Sequence, residues 1–131
     1  MRLVILLALW LVFMPAANGE DTMNLEIDYL LDTVAASDCV FIRNGSEHDG
    51  DSARDHLNLK RRRGKRYFSS ADEFIDRLAS SSSWSDKPYH IRCGEEDQQL
   101  AKDWFTAVLD DYRSKYAGLE AAAATPQSVS D

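Results

Sequence analysis

Three groups of residues in this 131-residue chain have types and spacing that could do chemistry. The first is Arg43-Asn44-Gly45 at the end of an apolar run, to be read with Lys87 and Tyr89 further along. A guanidinium is a fork for a carboxylate or phosphate, because its planar N–H groups match two oxygens at once. The same arginine could instead be drawn inward to Glu73 or Asp76, tying a helix to a strand. The second group is Glu47-His48-Asp49 with Asp51, Asp55 and His56. These are ligand-capable, but they match neither the EF-hand loop nor HExxH. Helix capping and a solvated acidic turn account for them, so no metal site is assigned. The third is the run Ser80–Ser83 with His56 or His90, which invites a nucleophile-and-base reading. No G-x-S-x-G turn accompanies it, and a domain this small is expected to leave little room for a substrate cleft. The serines are read as a loop ordered by its own hydroxyls. No catalytic residue and no cofactor is assigned.

Charge is segregated along the chain. There are 15 basic and 22 acidic residues, for a net charge of −7. Lys60–Arg66 holds six basic and no acidic residues; without these six and Arg2, eight basic residues face 22 acidic ones, or −14. The main reading of the run is a solvated helix end complementing the negative end of the helix dipole. The alternative is an anion-binding patch for a lipid headgroup, a polysaccharide phosphate or an acidic partner. An acidic chain repels phosphate everywhere except at one patch, so a general nucleic-acid role is excluded.

Residues 1–19 read as an address. Arg2 is a short basic n-region and Leu3–Met14 an uncharged run of roughly 12 residues, short of the ~20 that span a bilayer. Pro15 breaks any helix, and Ala17 and Gly19 are small residues where signal peptidase requires them. Cleavage is expected between Gly19 and Glu20, giving an exported protein with no transmembrane segment left. The two cysteines of an exported chain most simply form one disulfide, Cys39–Cys93. It closes a loop of about 54 residues, worth on the order of 4 kcal/mol in the loop-entropy model.

The elements that must position these groups follow from periodicity. Asp21–Ser37 reads as a helix with Met23, Ile27, Leu30, Leu31 and Val34 on one face. Cys39–Arg43 is a short strand ended by the turn dipeptide Asn44-Gly45. A second helix starts near Asp49 or Asp51 and runs to about Arg63, with Gly64 as its cap. Ser70-Ala-Asp-Glu73 is a capping box opening a third helix on Phe74, Ile75 and Leu78. Tyr89–Cys93 is a second strand, antiparallel to the first in the register Cys39–Cys93, Phe41–Ile91, Arg43–Tyr89. A last helix begins near Glu95, with Leu100, Trp104, Val108 and Tyr112 on its main stripe, widened by Ala101, Phe105, Leu109 and Tyr116. The expected architecture is one α+β domain, residues 20–118, of about four helices around a two-stranded antiparallel ribbon (39–43 with 89–93) clasped by the disulfide. Residues 119–131 are expected to be a disordered tail.

Five stretches together resemble a known family: Phe41-Ile-Arg-Asn-Gly45; His56-Leu57 with Lys60; Ser70-Ala-Asp-Glu-Phe-Ile75; Ala79-Ser-Ser-Ser-Ser83; and Lys87-Pro-Tyr89. They are similar to the YfeK-like family of small exported bacterial proteins, over about Leu25 to Cys93. The resemblance implies a bacterial periplasmic protein and no particular activity. Asp86 stands where the family motif often has glycine before Lys-Pro-Tyr.

The residues support a non-enzymatic module that binds an unknown protein or an anionic envelope component. Its expected surface is the rim of Arg43-Asn44-Gly45, Ser80–Ser83 and Lys87, helped by Lys60–Arg66, with Arg43, Asn44, Gly45, His56, Lys60, Ser80, Ser83, Lys87 and Tyr89 as the candidate binding residues. Two alternatives stand beside it. One is an inhibitor or immunity-like protein using an exposed loop with Trp84 at its tip. The other is a small envelope-polymer hydrolase using His56, Glu73 and a serine.

Overall fold

A computed structural model describes residues 19–124, with side chains as far as Ala117. Of the expected leader only Gly19 is described, and of the expected tail only residues 119–124, which continue the final helix. Helix α1 (Gly19–Ala36) buries Ile27, Leu30, Leu31 and Val34, the stripe that three- and four-residue spacing predicts. It lies chiefly against helix α2 (Gly50–Arg63) and the final helix α4 (Ala101–Ala124). Asp49 caps α2 by accepting from the Ser52 amide at 2.8 Å, and Gly64 closes it by donating to the Lys60 carbonyl at 2.8 Å. Gly50 is needed for close approach: a Cβ there would sit 2.3 Å from the Val34 carbonyl oxygen at the end of α1.

Strand β1 (Cys39–Arg43) turns its Cys39 and Phe41 side chains into the core, while Val40 and Ile42 on the other face are half-buried. Strand β3 (His90–Cys93) runs antiparallel in the expected register, Cys39 opposite Cys93 and Phe41 opposite Ile91, and the disulfide forms. The sheet, however, has four strands rather than two, in the order β2-β1-β3-β4. Asn44 (φ 50°) and Gly45 (φ 79°) make a two-residue turn whose mirror-image twist suits a hairpin. The chain therefore returns as β2 (Ser46–His48), with Arg43 opposite Ser46. The expected Arg43–Tyr89 pairing is not made. Tyr89 leaves the ladder and donates its amide to the Ser80 carbonyl at 2.8 Å, beside a bridge between Ser81 and Pro88.

The last helix also begins later than expected. Gly94, with φ 60°, turns the chain, the acids Glu95–Asp97 stay exposed, and Gln99–Leu100 (β4) pairs with β3. Helix α4 then buries Ala101, Phe105, Leu109 and Tyr112, with Trp104 and Val108 flanking them. The four-residue spacing was right and the face was shifted by one residue, because β4 sets where the helix starts. Leu100 is exposed.

Between α2 and β3, Ser70 caps α3 (Ala71–Phe74) by accepting from the Glu73 amide at 3.1 Å. Glu73 reaches back to the amide of Ser69 at 2.7 Å, not to that of Ser70, so the capping box is offset by one residue. The helix widens into a π turn, Ile75–Ala79, ended by the Ser80 hydroxyl donating to the Ile75 carbonyl. No helix among the described residues is long and apolar enough to cross a membrane.

Candidate functional site

A cleft of about 590 Å³ opens between the last turns of α2 and the loop 80–89. That volume is enough for a small ligand, more than the little room expected of so small a domain. It exists because Ser81–Pro88 folds out as its own hairpin-like loop instead of lying back on α2. Three contacts hold that loop: Ser82 donates its amide to the Lys87 carbonyl at 3.0 Å, Asp86 donates its amide to the Ser82 carbonyl at 3.0 Å, and the Ser82 hydroxyl accepts from the Trp84 amide at 3.3 Å. Asn44 clamps the loop to the β1–β2 hairpin, accepting from the Ser85 hydroxyl at 3.0 Å and donating to the Ser82 hydroxyl at 3.4 Å. Asp86 adopts φ 56°, the left-handed conformation that glycine takes without penalty.

The floor of the cleft is basic. His56 and Lys60 lie one turn apart on α2, so both point to one side. Arg43, at the end of β1, donates to His56 Nδ1. A guanidinium has no acceptor, so Nδ1 must accept and Nε2 carries the ring proton. That Nε2 lies 3.3 Å from the Tyr89 hydroxyl, which Lys60 Nζ also approaches at 3.3 Å. Lys60 donates in addition to the Ser81 carbonyl at 2.8 Å and sits 4.9 Å from the centre of the Tyr89 ring. The Tyr89 oxygen thus receives two donors, leaving its own proton for a third group.

Burial and like charge set the protonation here. Burial, then Arg43 and Lys60, push His56 down to about 4, so the imidazole is neutral at physiological pH. Burial, then Arg43, push Lys60 down to about 8, which leaves it mostly charged at neutrality. Burial raises the Tyr89 phenol against the opposing pull of Arg43. No carboxylate lines the cleft, and among the described residues neither Arg43 nor Lys60 has an ion-pair partner. The walls above this floor are apolar: Leu59 and Leu78 inside, Tyr67 and Trp84 at the mouth.

Of the residues singled out in the sequence, Arg43, Asn44, His56, Lys60, Ser83 and Tyr89 meet in this cleft. Gly45, Ser80 and Lys87 do not line it. Gly45 serves the turn, the Ser80 hydroxyl is used by the π turn, and Lys87 is exposed outside. The expected Arg43 ion pair is corrected. Glu73 is engaged by Ser69 and by Arg77 at 3.3 Å, and Asp76 by Lys102 at 2.6 Å. Ser46, Leu59 and Tyr67 also line the cleft and were not singled out, while Arg63 and Ser82 were named only within the runs Lys60–Arg66 and Ser80–Ser83. Arg63 had a signal, since it lies three residues after Lys60 and seven after His56 on the same helix face.

The acidic cluster disperses. Glu47 pairs with Arg92 at 2.9 Å, Asp51 and Asp55 with Arg54 at 3.5 and 3.3 Å, and Asp49 is the cap. Among the described residues no three His, Cys, Asp or Glu side chains stand close enough to hold a metal ion. His48 lines the cleft wall, its Nε2 buried without a partner.

A family model described as a family of unknown function, DUF5329, matches residues 21–113. The chain belongs to this family. It is also 38% identical, over 81 residues, to the uncharacterized protein YfeK of Salmonella typhimurium, covering 60% of this chain and 68% of that one. No solved structure matches it. Four of the five stretches that carried the resemblance place a side chain in the cleft, namely Arg43 and Asn44, His56 and Lys60, Ser82 and Ser83, and Tyr89. The remaining stretch, Ser70–Ile75, supplies the helix cap and the buried Phe74 and Ile75.

Proposed function

We propose that this chain is a periplasmic, non-enzymatic binding domain of the cell envelope that takes a small anionic ligand in the cleft. One observation carries the proposal: His56 and Lys60 converge on the Tyr89 hydroxyl and Arg43 on His56, two of the three charged, with no carboxylate lining the cleft to neutralise them. Holding like charges together in a half-buried site is unfavourable until a counter-charge arrives. A phosphate or carboxylate would receive the Arg43 fork, the Lys60 ammonium and the free proton of Tyr89. The disulfide and the lack of a membrane-crossing helix among the described residues are compatible with an exported protein.

The hydrolase alternative fares less well, because Glu73, its acid, is outside the cleft and engaged elsewhere. Calorimetric titration with glycerol phosphate and with acetate tests the binding reading. Arg43→Lys keeps the charge and removes the fork, and should weaken the preferred anion about 10–100-fold with the melting temperature preserved. Equal affinity in wild type and Arg43→Lys, or no anion binding at all, would overturn it.

A further inference from the structure

The mouth of the cleft has a character of its own. Of the six cations in Lys60–Arg66, Lys60 faces the floor and Arg61 pairs with Asp28 at 2.6 Å. Arg62, Arg63, Lys65 and Arg66 are exposed, and none has an ion-pair partner among the described residues. Arg66 lies over the Tyr67 ring at 4.9 Å and donates to its hydroxyl at 2.9 Å. Across the mouth stands Trp84, 100% exposed at the tip of its loop, with Lys87 exposed beside it. Asp86 is the sole acid on that loop. Two exposed aromatic rings and Arg63 thus line the mouth above a basic floor, with four further free cations on the segments that carry them.

We infer that this rim docks on an anionic phospholipid surface, with a lipid phosphate seated on Arg43 and Lys60 and with Trp84 and Tyr67 at headgroup depth. The inference rests on the anion reading of the cleft and names the source of the anion. Indole and phenol rings are amphipathic and settle at the boundary between headgroup and acyl chain. Clustered Lys and Arg are drawn to anionic leaflets. The rest of the molecule sharpens the orientation. Outside Lys60–Arg66 the chain is strongly acidic, so an anionic surface repels every approach but this one. Of these cations Arg63 lines the cleft itself; Arg62, Lys65 and Arg66 stand on the end of α2 and the turn after it, and Lys87 on the loop 80–89, so they come from more than one segment. That layout suits a surface of many headgroups better than one extended acidic peptide.

Co-sedimentation of the chain with vesicles of phosphatidylcholine, with and without phosphatidylglycerol, tests this, alongside titration with soluble glycerol phosphate. Three variants complete the set: Trp84→Ala, Arg43→Lys, and glutamate at Arg62, Arg63, Lys65 and Arg66 together, each checked for an unchanged melting temperature. The expected result is binding about tenfold or more tighter to the anionic vesicles, reduced at least about tenfold by each variant. Glycerol phosphate binding without vesicle binding would overturn the membrane inference and leave the anion cleft standing. Vesicle binding indifferent to Arg43→Lys would overturn the headgroup seat, reducing the contact to adsorption by the rim. Binding of neither would overturn both. Vesicle binding indifferent to Trp84→Ala would overturn the role of the loop and point to an acidic protein as the partner of Trp84.

Discussion

Two arginines of this molecule sit at similar depth and meet opposite surroundings. Arg113, on α4, reaches Glu26 on α1 and Asp72 on α3, both at 2.7 Å, so one guanidinium ties three helices. Hydrogen bonds donated to Glu26 and then to Asp72 raise Arg113 further, and Arg113 in turn holds Asp72 below the usual carboxylate range. Arg43 has no carboxylate. Its neighbours are His56 and Lys60, and both are pushed down, by burial first and by Arg43 after it. The direction of these shifts separates a completed contact from an open one. At Arg113 each charge is stabilised by the next, and nothing is left for a ligand. At Arg43 each positive charge disfavours its neighbour, and only an outside anion relieves that.

The contrast can be broken first at Arg113. Arg113→Met leaves Glu26, 8% exposed, without its partner. The expected loss is about 2 kcal/mol by urea denaturation, less than for a fully buried pair because Arg113 and Asp72 face solvent. Anion affinity should not change. A loss below about 0.5 kcal/mol would make the tie incidental. Lys60→Met is the counterpart in the cleft. Anion affinity should fall about tenfold while stability moves by less than about 1 kcal/mol. A large stability loss there would turn Lys60 into a structural residue like Arg113.

The pH dependence of binding sharpens the same point. Free Lys60 titrates at about 8, and a bound anion raises it. Between those two values binding takes up a proton, so affinity falls as pH rises above 8, by up to about tenfold per pH unit. Titrations at several pH values above 8 should show this slope for wild type and none for Lys60→Met. The smallest effect is at the loop. Asp86→Gly relieves the left-handed strain and should stabilise by about 0.5–1 kcal/mol, less the entropy that glycine costs. Destabilisation would mean that the aspartate side chain itself holds the loop.

Much of the fold was legible because it depends on neighbours in sequence. The stripe of α1, the Asp49 and Ser70 caps and the Cys39–Cys93 register all follow from fixed periods and short-range hydrogen bonds. The flanking strands were not legible. Ser46-Glu47-His48 and Gln99-Leu100 carry no strand composition, and the sheet recruits them through backbone pairing, with the Glu47–Arg92 ion pair as a cross-strand addition. Asn44-Gly45 was recognised as a turn, but whether its far arm pairs depends on β1 offering a free edge. The register of Tyr89 was misread for a related reason, since Ser80 competes with β1 for its amide.

The sequence by itself determined the chemical inventory: an arginine at a strand end, a histidine and a lysine one helical turn apart, a tyrosine after a proline, and a basic run in an acidic chain. Only the tertiary structure decided which of these charges would be neutralised. Electrostatic pairing acts over a few ångströms, and sequence spacing sets such distances only within a single element. Glu73 and Asp76 were equally plausible partners for Arg43 until the helix that carries them turned one toward Arg77 and the other toward Lys102. The open charge of the cleft, and with it the case for a ligand, follows from that turn.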